Sequence, residues 1–461
     1  MHNQFFTAPD RAALLAAPVR GLLLRMAVPS LAAMLATGLC TLLDALLLAR
    51  ESPWVSAAAG VCFPILAAQQ TVGFTLGMGA GSHVSRVVGA GEEASARQVA
   101  AAALLLALLL GLALLASGLF FLTPLLGRLG ADADVLPHAA AYARPLLLAS
   151  PLSCVGLVLA SLLRAQGKAA LNMLAYVVSG ALGAGLSALF ILRLGLGAYG
   201  AGLALLSREA LACLLLIILY LRARNMLRPG VRDVTLRPWV FPAILRSGLP
   251  TLLRQGATSL SGAMLSRAAA AAGSAALSGM GIAVRVLALV SSAAIGFGQG
   301  FAPVCGVNFG AGKHERVQEA YRYSMRVLVA ALLVCGALLF AFAGQLLALF
   351  DADAQVAAFA VRVLRAQSPV LACQGAVILM NMLTQSRGQT VRATLVAISR
   401  QGLFLIPLLL TLPRLFGETG LVLCQSAADV CALVFSLCVL RAGRRREAEC
   451  AGPIDRTPSQ D

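Results

Sequence analysis

Asp44 stands in the apolar string TLLDALLL, with no other acidic residue between Asp10 and Glu51. A charge held at the middle of a bilayer costs about 2.5–3.5 kcal/mol, so an acid in such a run is expected to carry function. The chemistry open to it is proton uptake and release as its surroundings change between wet and dry. The plain alternative is an interfacial ion pair with Arg50. In the second half of the chain Arg285, Arg400 and Asp429 stand in similar runs. They are candidates for an ion pair, or for coupling and substrate orientation. Gln69, Gln70, Gln299, Asn308, Asn381 and Gln385 are uncharged candidates to line a cavity, either binding substrate or bridging helices.

Other chemistries find no footing. The four histidines (His2, His83, His138 and His314) show no metal-ligand spacing and no HExxH. The eleven cysteines lie mostly inside apolar runs, without a CxxC pair, and read as small packing residues. Gly312-Lys313 resembles the end of a phosphate loop, but Val307 stands where that loop needs glycine and His314 where it needs Ser or Thr. No nucleophile–base pair appears. The chain is therefore expected not to be an enzyme, and to hold no metal and no cofactor.

The elements that carry these residues follow from composition. Hydrophobic residues make up 59% of 461 and charged residues 12%, with a mean hydropathy of +0.86. A soluble fold cannot hide so much apolar side chain. The apolar residues come in runs of about 20, the length of a membrane-crossing helix. A closed barrel would need period-2 alternation, which is absent. The net charge of +17 is not a nucleic-acid footprint. Basic residues gather in alternate loops, such as Arg222, Arg224, Arg228, Arg232 and Arg237, or Arg441, Arg444, Arg445 and Arg446. The loops between hold scattered ones such as Arg50, Arg128, Arg193 and Arg414. This is the positive-inside pattern, and it predicts both termini in the cytoplasm of a cell with the chain in its inner or plasma membrane. The start of the chain lacks the order of a signal peptide and reads as a cytoplasmic arm.

The chain also repeats itself. Pro29 and Pro250, Gly60 and Gly281, Gly89-Ala90-Gly91 and Gly310-Ala311-Gly312, and Gly167 and Gly388 are each 221 residues apart. Gly200 and Gly420 are 220 apart. The fold class predicted is an all-α integral membrane protein of about 12 transmembrane helices in two pseudo-symmetric six-helix bundles. The first six spans are placed at 22–49, 54–88, 97–123, 136–164, 170–193 and 198–221. The second six are placed at 244–271, 276–308, 323–343, 355–385, 392–412 and 418–441. The organisation is then an arm over 1–21, one lobe over 22–221, a cytoplasmic linker over 222–243, a second lobe over 244–441 and a tail over 442–461. An even number of spans per half gives both halves one orientation, with a cavity between them. Gly73, Gly77 and Gly81 make a small-residue ladder for close helix packing, and Gly296 and Gly300 a shorter one.

Several strings together resemble the multidrug and toxic compound extrusion (MATE) family over roughly residues 20 to 440. They are Pro29 with Asp44; Gly77, Gly79, Ser85, Arg86 and Gly89-Ala90-Gly91; Gly281, Arg285, Gly296, Gln299, Gly300, Pro303, Asn308 and Gly310-Ala311-Gly312; Ser399-Arg400-Gln401-Gly402 with Pro407; and Gln425 with Asp429. The resemblance implies two lobes in a V and export of amphipathic, often cationic, drug-like molecules driven by a proton or sodium gradient. It implies the coupling role for Asp44. It also marks a departure: many members carry an Asn and an Asp one turn apart in the fifth span, where this chain has Gly183 and Ser187. A hard cation needs several oxygen ligands, so proton coupling is favoured over sodium.

The expected protein is thus a monomeric antiporter working by alternating access, with Asp44 coupling protons. Gln70, Arg285, Gln299, Asn308, Gln385, Arg400 and Asp429 are the substrate or cavity candidates. One proton moving through about 150 mV supplies about 3.5 kcal/mol, enough for roughly a 300-fold gradient. The alternatives are a flippase for a lipid-linked substrate and a non-transporting scaffold or receptor. The first is disfavoured because most arginines lie in loops, the second because of the repeated halves and Asp44.

Overall fold

The computed structural model describes residues 11–222, 239–348 and 353–450, with positions 227, 230, 233 and 237 between the halves. Residues 1–10 of the predicted arm, 451–461 of the predicted tail and most of the predicted linker lie outside them. Among the described residues every regular element is a helix.

A short α1 (Arg11–Ala16) precedes the first bundle. That bundle comprises α2 (Val19–Glu51), α3 (Pro53–Ala90), α4 (Glu93–Phe120), the short α5 (Leu122–Arg128), α6 (Leu136–Leu148), α7 (Ser150–Ala165), α8 (Ala169–Ala188) and α9 (Gly197–Arg222). The second comprises α10 (Val240–Ala271), α11 (Ser274–Gly310), α12 (His314–Ala348), α13 (Ala354–Gln367), α14 (Leu371–Ser386), α15 (Thr390–Ile398) and α16 (Ile406–Cys450). Nine segments among the described residues are each long and apolar enough to cross a membrane. A tenth span is α6 with α7, bent by 45°. Pro151, in the first turn of α7, offers no N–H to Leu147 and its ring crowds that carbonyl, which accounts for the bend. The eleventh is α10, whose apolarity is diluted by Arg246, Arg254 and Arg267. The twelfth arises because α16 breaks at Gly417, with φ 55° and ψ −132°, a backbone shape that glycine alone adopts readily. The chain is therefore twelve spans in two bundles.

The bundles meet through matching contacts. A Cβ on Gly89 would strike the carbonyl of Val307, and one on Gly310 would strike the carbonyl of Arg86. These contacts exchange under the 221-residue offset: 89 maps to 310 and 86 to 307. The same holds for Gly79 against Gly248 and Gly300 against Ala27; Gly248 also meets Thr75 of α3, and Gly296, the repeat mate of Thr75, lies beside Ser30 and Leu31 of α2. Reciprocal contacts of this kind are the signature of a two-fold axis. They all lie in the half of α2, α3, α10 and α11 nearest the residues that join the lobes. Toward the other end Gly60 and Gly281, also repeat mates, face open space. The lobes thus close on each other at the end nearest the residues that join them. The ladder of Gly73, Gly77 and Gly81 serves packing within the first lobe, against Leu157 and Ser161 of α7.

Candidate functional site

Asp44 is half-buried within the first lobe, where α2 packs on α8. Its Oδ1 accepts from the Ser187 hydroxyl at 2.9 Å, and its Oδ2 accepts from Nη1 of Arg208 at 2.6 Å. Arg50, the neighbour weighed from sequence, has its side chain outside the described residues. Arg208 comes from the middle of α9, and the absence of a side chain at Gly183 makes room for it: a Cβ there would come within 2.9 Å of the arginine stem. The next residue, Glu209, lies with its Oε1 4.0 Å from Nε of Arg208. The guanidinium fork is therefore flanked by carboxylates on two edges, one in direct contact and one just beyond it. The two fifth-span positions that the family resemblance associates with a cation site hold Gly183 and Ser187 here, and the Arg208 side chain lies against them.

The second lobe holds its own buried pair. Asp429, on α16, has no exposed surface; one oxygen accepts from Nε of Arg400 and the other from the amide of Gln367. Ser426 donates to the Gln367 amide oxygen at 3.0 Å, so the chain of donors is complete. Arg400 sits in a π-helical stretch, Ser399–Leu405, whose wider turn also presents Gln401 to the Ser261 hydroxyl at 2.7 Å. Widened turns of this type recur at functional positions.

The remaining candidates are dispersed. Gln299 is buried in the seam, in a small cavity of about 20 Å³ shared with Ser85, Ser161, Arg164 and Gln385. That is room for about one water. Among the described residues the Gln299 amide oxygen has no hydrogen-bond partner. Gln385 donates to the Ser247 carbonyl at 3.0 Å and the Thr251 hydroxyl at 3.3 Å. Asn308 lies at the closed end, donating to the carbonyls of Val304 at 2.8 Å and Leu14 at 3.3 Å and accepting from Arg316 at 2.9 Å. Gln70 is half-buried on α3 and Arg285 is exposed on α11. Of the sequence candidates, Arg400 and Asp429 come together, Gln299 and Gln385 share the seam cavity, and Asp44 lies in the other lobe's interior.

The sequence profile of the MatE family matches residues 29–189 and 250–411, two segments whose starts are 221 apart. The chain belongs to the MatE family. It is 26% identical over 383 residues to the multidrug export protein MepA of Staphylococcus saprophyticus, spanning 83% of this chain and 84% of that relative. It is 25% identical over 390 residues to MepA of Staphylococcus aureus strain NCTC 8325, at 84% and 86% coverage. A structure of the outward-facing conformation of a multidrug resistance MATE family transporter superposes with a TM-score of 0.89 at 24% identity, covering 95% of this chain and 98% of that one. A Pyrococcus furiosus transporter of the MOP superfamily, described as having a binding pocket of reverse polarity, superposes at 0.88 and 24%, covering 94% and 97%. These likenesses show the fold.

Within the MatE fold the sequence reading left several charged residues without a role. Arg208 and Glu209 are the first omission on that side of the cluster. Their signal was present: Glu209 lies 220 residues before Asp429, the same offset as Gly200 and Gly420. Arg86, quoted only as a family marker, crosses the seam to donate to the carbonyls of Gln385 at 3.1 Å and Ser386 at 3.4 Å, capping the end of α14. Arg164 is buried and donates to Ser161 at 2.8 Å.

Proposed function

We propose that this MatE-family chain exports small amphipathic, often cationic, organic compounds by alternating access, as a monomeric antiporter driven by inward movement of protons. It resides in the cell membrane with both termini in the cytoplasm, as the distribution of arginines between loops supports. On that orientation the closed seam faces the cytoplasm and the cleft between the lobes opens outward. The printed names of the MepA relatives support multidrug export.

The observation that carries the reading is the Asp44 cluster. Asp44 has no charged repeat mate, since Leu265 stands 221 residues on. An unmatched acid is not needed by the shared scaffold. Both of its oxygens accept hydrogen bonds, from Ser187 and Arg208. A proton arriving from outside neutralises Asp44 and dissolves the ion pair, which alters how α2, α8 and α9 fit together. That change is the lever for expelling the bound compound and closing the lobes outward. Arg208 beside Gly183 supports protons over sodium, because a guanidinium already occupies the space beside the acid. The test is efflux of ethidium from cells or proteoliposomes. Asp44→Asn at normal expression is expected to abolish it; undiminished efflux would remove Asp44 from coupling. Insensitivity to sodium at fixed proton gradient is expected as well.

A further inference from the structure

The ion clusters of the two lobes differ in their charge. In the second lobe one arginine meets one aspartate, Arg400 with Asp429. In the first lobe one arginine lies between two carboxylates, Asp44 and Glu209. With every group ionised the first cluster carries a net charge of −1, and the second carries none.

Glu209 is placed to matter. It falls near the middle of α9, about 18 Å from Gly197 at 1.5 Å per residue. It lies on the stripe that also holds Leu205, Ala212 and Leu216, each buried against the rest of the lobe. Its side chain is 24% exposed. Both oxygens of Asp44 have donors, whereas the Glu209 oxygen nearest a donor is still 4.0 Å from it. Neighbouring residues on a helix diverge in direction, yet the long arginine stem brings Nε back toward Glu209 while Nη1 reaches Asp44. A shift of about 1 Å would turn the longer approach into a direct bond. Among the described residues, the other titratable side chains coupled to these three are Cys40 on α2, Tyr142 on α6, Cys154 on α7, Tyr176 on α8 and Cys213 on α9. None of them is a second cation.

We propose that Glu209 is the alternate partner of Arg208: when Asp44 takes up a proton, the guanidinium passes from Asp44 to Glu209, and the protonated cluster is electrically neutral. The balance is simple. Before uptake two anions share one cation; afterwards one anion, one cation and one neutral acid remain. Glu209 is a positioning residue, because it makes proton uptake by Asp44 favourable without taking the proton itself. The inference rests on Asp44 as the proton carrier.

The test uses the full-length protein purified in detergent, with ethidium as the probe. Protons released on dye binding are followed with a soluble indicator across a pH series, for wild type, Glu209→Gln, Glu209→Asp and Asp44→Asn. In Glu209→Gln the unprotonated cluster is already neutral, and a proton on Asp44 would strand the arginine charge. Its release profile is expected to move at least one pH unit to the acid side, a tenfold weaker proton uptake, and Glu209→Asp to return most of the way. A folded Glu209→Gln protein with the wild-type profile would overturn the proposal. If Glu209→Gln does not fold, Glu209→Asp decides: an acid shift between zero and that of a lost carboxylate supports the switch, and an unchanged profile overturns it. Asp44→Asn is expected to release no protons from this site. If instead it releases them as wild type does, the assignment of Asp44 itself fails, whatever Glu209 does.

Discussion

Asp429 is sealed in the second lobe with every donor it needs, and its interest lies in what happens when one is taken away. An ion pair removed from water holds its charges only as a pair; deleting one partner leaves a buried charge, at a cost of about 3–5 kcal/mol. Arg400→Met is expected to lower the thermal unfolding temperature of the protein in detergent by several degrees. Arg400→Met combined with Asp429→Leu is expected to recover most of it, because no charge is then stranded. A double variant as unstable as the single one would point to the Gln367 and Ser426 bonds as the main source of stability. Sequence reading reached this pair as a possibility because both members stand in apolar runs. It reached Asp44 for the same reason. It could not reach the Asp44–Arg208 bond, because 164 residues separate the partners and no local period encodes that meeting.

At the scale of elements, helix identity was legible because lipid leaves the backbone no other choice. Positions of breaks were less so. The span predicted over 136–164 is two helices meeting at a 45° bend, and the one predicted over 355–385 is interrupted by a 3₁₀ turn, Ser368–Val370. Pro151 and Pro369 stand at these places, but proline inside an apolar run marks a bend only when neighbouring helices accept it. The seam glycines were legible as a repeat, and their function follows from the contacts. Gly310→Val would drive a side chain into the Arg86 carbonyl and separate α11 from α3 at the closed end. Cys305, fully buried beside that seam, is expected to resist maleimide in wild type and to react at least several-fold faster in the variant, with export lost. Peptide mass spectrometry distinguishes it from the exposed Cys431 and Cys438. An unchanged Cys305 rate would mean that the helices absorb the valine without parting.

At the scale of the whole molecule, the halves share a frame and differ in charge. The repeat offset forecast the shared frame, since the same glycines face the same carbonyls across the axis. The difference was hidden because charge balance is a property of spatial neighbours: Arg208 and Arg400 do not occupy equivalent positions, although Glu209 and Asp429 do. The first lobe is left with a carboxylate to spare and the second is closed upon itself. On the mechanism proposed above, proton coupling would fall to the first lobe alone.

The exchangeable seam carries an implication for how such a chain came to be. If 86 against 310 and 89 against 307 are the same contact seen twice, then the surface of either half fits a second copy of itself. A fragment ending near Arg222 would set Gly89 of each copy on the Arg86 carbonyl of the other, and Ala27 on Gly79. Such a fragment, expressed in membranes, is expected to pair head to head as a homodimer, visible by single-molecule photobleaching as two-step spots. A homodimer of that kind would be a living outline of the ancestor whose gene, copied and fused, was later free to place its acids on one side only.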